Sequence, residues 1–186
     1  MTITELLLPT YRQMLTALAA WLRKAAEQAD DADKLMAAQL APDMFPLSTQ
    51  VRFACLQAYE GVHRLKHETF PSIVDKLITE GREGGEKPGT VKDALSRIDE
   101  TLLFLDSVAD NALDVGAERP LALELPIGLA FDLNGDQYTR DWATAQFYFH
   151  VMAAYAILRS QGVQIGKADY VAHMFAYLRP GTGLSD

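Results

Sequence analysis

Side chains able to do acid–base, nucleophilic or metal chemistry are few in this sequence: four histidines and one cysteine. His150 stands out, because the apolar spacing around it places the imidazole on an inward helix face with Phe147 and Ala154, close to Phe149 and Ala153. A buried imidazole needs a hydrogen-bond partner. Gln146, four residues earlier, shares its face, and Gln50 and Gln57 lie beside the seam of an earlier helix, so an interior polar patch can form. Two readings follow from the residues: a core histidine satisfied by a glutamine or a tyrosine hydroxyl, or a metal ligand or general base.

The remaining candidates carry weaker signals. His63 and His67 have the spacing that lets two imidazoles on one helix share a metal, but they share their side with Glu60, Arg64 and Lys66, which reads as a solvated face. His173 has no acidic cluster near it and receives no role. Cys55 sits between apolar neighbours and reads as a small buried hydrophobe; a lone cysteine forms no internal disulfide, so a cytoplasmic setting is expected. No nucleophile elbow, P-loop, dinucleotide fingerprint or paired-cysteine motif occurs, and Gly84-Gly85 lacks the strand and lysine of a phosphate cradle. The acidic run Asp30 to Asp33 reads as a solvated loop without calcium-site spacing.

The elements that must position these residues are helices. Thr2 and Glu5 form a capping-box pattern ahead of a seam through Leu7, Tyr11, Met14, Leu18, Trp21 and Ala25, with Pro9 making the start uncertain by a few residues. After the proline-bounded stretch Pro42 to Pro46, Leu47, Val51, Ala54, Ala58, Gly61 and Leu65 repeat the pattern, and this helix is predicted to run to about Phe70 with Asp43 as its cap. A short helix through Ile73, Leu77 and Ile78 follows, and a third long one, with Thr90 and Asp93 as a weaker cap signal, carries Val91, Leu95, Ile98, Leu102 and Leu105. Alternation at Leu121, Leu123 and Leu125 predicts a small β excursion, with Asn134-Gly135 as its hairpin turn. Asp141 is then expected to cap a fourth long helix from Trp142 to about Gln161, stopped by Gly162, before a short helix from Lys167 and a loose tail from Pro180 to Gly183. Lys167 and Asp169 are placed to tie that last segment back onto the helices.

At 186 residues the chain reads as a single domain over 1–186. With 17 basic against 25 acidic residues, a net charge of −8, it offers no basic surface to a phosphate backbone, so nucleic acid is not expected as a partner. No apolar run approaches the roughly 20 residues of a membrane span, so no membrane association is expected. Four amphipathic helices predict an all-α four-helix bundle with a short β-hairpin insertion before the last long helix.

Several blocks carry a family resemblance: Leu40 to Leu47 with Gln50 and Val51, Arg97-Ile98 with Thr101-Leu102, and Phe147 to His150 followed by Ala154-Tyr155, Ile157 to Arg159, Gly162-Val163, Gly166-Lys167 and Asp169-Tyr170. Together they resemble a domain-of-unknown-function family of the DinB/YfiT-like superfamily over nearly the whole chain. The resemblance implies an antiparallel DinB-like four-helix bundle. In that superfamily three histidines commonly bind a divalent metal in an inter-helix groove, and some members are metal-dependent hydrolases or thiol transferases. His150 corresponds to the last histidine of its His-x-x-x-His helix, Gln146 stands at the earlier position, and the other helix offers only Gln50 and Gln57 near the third. Amides are poor ligands for zinc-like ions. The expectation is therefore a degenerate metal site with His150 as its one remaining metal ligand, no cofactor, and Gln50, Gln57, Gln146, His150 and Tyr155 as small-ligand contacts. The function expected is a non-catalytic ligand-binding or dimerising module, with a metal-dependent enzyme acting on a small molecule in the groove as the alternative. DinB-like proteins often pair, so a homodimer is expected.

Overall fold

A computed structural model describes residues 1–182 of the chain. Helix α1 spans Ile3–Gln28, and its first turn closes as the residues dictate, with Thr2 Oγ1 accepting from Glu5 N at 3.2 Å while Glu5 Oε2 accepts from Thr2 N at 2.8 Å. Pro9 lies inside this helix without ending it, early enough that the missing N–H affects one bond of a long ladder. The predicted seam is the buried one: Leu7, Tyr11, Met14, Leu18, Trp21 and Ala25 are all shielded from solvent.

Helix α2, Leu47–Lys66, carries the second seam. It stops short of Phe70 because His67 adopts a left-handed backbone, φ 54°, and Glu68 N returns to His63 O at 2.9 Å, while Pro71 disfavours helical geometry at Phe70. Helix α3, Ser72–Arg82, follows at once, and α4, Val91–Asp106, opens with a Thr90–Asp93 capping box. Glu80 of α3 stands between Arg52 of α2, at 3.4 Å, and Arg97 of α4, at 2.7 Å, which ties these three helices by charge as well as by packing.

Strands β1, Pro120–Glu124, and β2, Ala130–Asn134, pair antiparallel with Leu121 opposite Leu133 and Leu123 opposite Phe131. The hairpin turns through residues 125–129, where Gly128 takes φ 84° and Leu125 N bonds Leu129 O at 2.7 Å. Asn134-Gly135 is therefore not the turn. Asn134 caps the next helical run by exchanging hydrogen bonds with Gln137, and Gly135 rests against the Gly116 carbonyl, where no Cβ fits. That run comprises α5, Gly135–Gln137, a π-helical stretch Tyr138–Ala143, and α6, Thr144–Ser160. It begins seven residues ahead of Trp142, so Asp141 falls inside it and pairs with Arg140 at 2.6 Å instead of capping.

Gly162, φ 87°, ends the last long helix as expected. In α7, Lys167–Tyr170, the anchoring falls to Asp169: its carboxylate takes Lys24 Nζ and its carbonyl accepts from Trp21 Nε1 at 3.2 Å, whereas Lys167 is exposed. The expected tail reaches Gly183, outside the described residues. The fold is mostly helical with one small antiparallel sheet; α1 packs on α4 and α6, and α2 packs on α4, α6 and α3. Among the described residues no helix is long and apolar enough to cross a membrane.

Candidate functional site

Each side chain of the site is fixed by the pairing of α2 with α6. His150 sits on the inner seam of α6, 7% exposed, and its Nδ1 lies 2.9 Å from Gln50 Oε1 on α2. The amide is oriented by its other end, because Gln50 Nε2 donates to the Phe45 carbonyl at 3.1 Å. With Oε1 as the atom facing the ring, Nδ1 must carry the proton and Nε2 keeps a lone pair. Burial pulls the imidazole from its ordinary 6.5 down to about 4, so the ring is neutral at physiological pH.

Beside this pair lies a cavity of about 470 Å³, within the range of small-molecule sites. Its polar wall is Gln50, Gln57, Gln146, His150 and the exposed Asp43; Phe45, Phe53 and Phe149 supply much of the rest. Gln57 is buried with an Oε1 that has no hydrogen-bond partner. Four of the five expected ligand contacts thus share one cavity.

Tyr155 is not among them. Five residues beyond His150 it points about 140° around the helix, where its ring meets Trp21 at 5.2 Å and Tyr170 at 5.9 Å. Asp43 corrects a second expectation, since Pro46 occupies the cap position of α2 and that end carries no side-chain cap bond. The aromatic walls are what sequence reasoning missed. Their signal is local: Phe149 adjoins His150, and Phe53 follows Gln50 by three residues, on the same side of a helix.

The three-histidine metal site implied by the resemblance has no counterpart in these residues. His150 is one imidazole, the Gln50 oxygen nearest to it accepts its Nδ1 proton, and among the described residues no group of three His, Cys, Asp or Glu is placed to hold a metal ion. The donor set does not fit a zinc-like ion.

The other candidates separate. His63 is not on a solvated face: its ring stacks on Phe104 with centroids 5.4 Å apart and lies 3.3 Å from Glu68, and burial lowers its pKa. His67, at the left-handed cap, is exposed and off the helix, so the two histidines form no ligand pair. Cys55 is fully buried, and burial pushes its thiol up to about 12, leaving no reactive thiolate.

Comparison with known proteins bears on the fold and the family. A crystal structure of a DinB family member protein from Shewanella denitrificans is similar to this chain with a TM-score of 0.72 and 28% identity, covering 97% of this chain and 94% of that one. No curated protein matches. The model of the domain of unknown function DUF1993 matches residues 3–171, and the chain belongs to that family.

Proposed function

We propose that α1, α2, α4 and α6 form an antiparallel DinB-like four-helix bundle whose groove, no longer a metal centre, binds a small molecule. The protein acts in this reading as a non-catalytic ligand-binding or dimerising module, working as a homodimer in the cytoplasm. One observation carries the binding site: the Gln50–His150 hydrogen bond holds a neutral imidazole at the edge of a cavity with largely aromatic walls. A glutamine oxygen occupied by Nδ1–H is a partner that orients the ring, and the remaining nitrogen is left to an occupant.

Metal content after purification without a histidine tag tests the degenerate site. Well under one equivalent of zinc or nickel is expected, because one imidazole with amide neighbours retains such ions weakly. One tightly held equivalent that disappears in His150→Ala would overturn the reading.

A further inference from the structure

The cavity carries a negative charge at its rim and no positive one among the described residues. Among the described residues its one formally charged side chain is the Asp43 carboxylate at the exposed rim, and neither lysine nor arginine lines it. His150 offers Nε2 as an acceptor, since donation from that atom would move the proton off Nδ1 and break the bond to Gln50. The side-chain amides of Gln57 and Gln146 also line it and can donate as well as accept.

The rings add to the same bias. Phe45 meets Phe53 at 5.6 Å and 86°, Phe53 meets His150 at 5.4 Å and 73°, and Phe149 meets His150 at 5.3 Å and 81°. All three phenylalanines line the cavity, and aromatic rings attract cations through their quadrupoles. An anion placed there would face the Asp43 carboxylate and the His150 Nε2 lone pair with no compensating lysine or arginine among the described residues.

We infer that this pocket takes a small organic ammonium ion, an amine in its protonated form with an apolar body, whose N–H donates to His150 Nε2 while the body lies among Phe45, Phe53 and Phe149. The inference rests on reading the cavity as a ligand site. The low basicity of His150 supports it, because the imidazole then remains an acceptor and does not repel a cation. Asp43 at the rim supplies the countercharge without requiring a fully desolvated ion pair.

Three compounds of one shape and different charge separate the cases: phenethylamine, 2-phenylethanol and phenylacetate, titrated into the full chain at neutral pH by calorimetry. Phenethylamine is expected to bind most tightly, 2-phenylethanol more weakly, and phenylacetate not measurably. Asp43→Asn is expected to weaken phenethylamine about two- to fivefold, the range of an exposed ion pair, and to leave 2-phenylethanol unchanged; Asp43 makes no hydrogen bond to α2, so the variant should fold. If 2-phenylethanol binds as well as the amine, or phenylacetate binds better, the ammonium assignment fails while the pocket stands. If none of the three binds at millimolar concentration, the ligand-site reading fails with it.

Discussion

Protonating His150 in the folded protein puts a charge at a 7% exposed position whose single hydrogen-bond partner, Gln50, is already served by the neutral ring. Asp43, at the rim of the same cavity, is the other titratable group on that wall. The sign of the linkage is fixed by the lowered pKa: the unfolded chain takes up the proton near 6.5 and the folded one near 4. Stability that is complete above pH 6.5 is therefore lost as the pH falls toward 4, by an amount on the order of 3 kcal/mol. Urea unfolding of the wild type and His150→Phe across this window should show the wild type falling more steeply by that order. Parallel profiles would mean that the imidazole charges without cost in the fold.

At the scale of elements, the cavity wall depends on how closely α3 approaches α2. Gly81 of α3 packs against the Phe53 ring so tightly that a Cβ at position 81 would overlap it. The flat, buried glycine is thus what lets Phe53 stand where it lines the site. Gly81→Ala is expected to destabilise by about 1–3 kcal/mol through overpacking, despite the better helix propensity of alanine. Adding Phe53→Leu should recover part of this loss, because the leucine lacks the ring edge that clashes. Additive costs in the double variant, measured by denaturant midpoints, would show that the two side chains do not compete for that space. The same logic holds Glu80 in place, since α3 brings its carboxylate between two arginines that belong to different helices.

For the molecule as a whole, a net charge of −8 opposes self-association only over short distances, because the Debye length is about 8 Å at physiological ionic strength. Large apolar side chains remain exposed near the C-terminal end, among them Phe175 and Leu178, and they offer contact area for a second copy. Sedimentation at micromolar concentration is expected to show a species near twice 20.6 kDa, and a boundary at 20.6 kDa alone would reject the homodimer.

By itself the sequence determined the helical seams, because an apolar residue every three or four positions fixes which face of a helix is inward whatever it packs against. It also determined the Thr2 and Thr90 caps, whose partners lie within one turn, and it put Gln50, Gln57, Gln146 and His150 on faces able to meet. Tertiary structure decided what depends on residues far apart in the chain. Asn134 became a helix cap and not a turn because Gly135 fits against the Gly116 carbonyl. His63 went inward because Phe104 of α4 offered its ring. Tyr155, already about 140° around α6 from His150 by helix periodicity, took Trp21 of α1 and Tyr170 of α7 as its partners. Above all, the proton on His150 Nδ1 follows from a chain of hydrogen bonds running from the Phe45 carbonyl through Gln50. Periodicity supplies the face of each helix; only the packed helices supply the distance between two side chains a hundred residues apart.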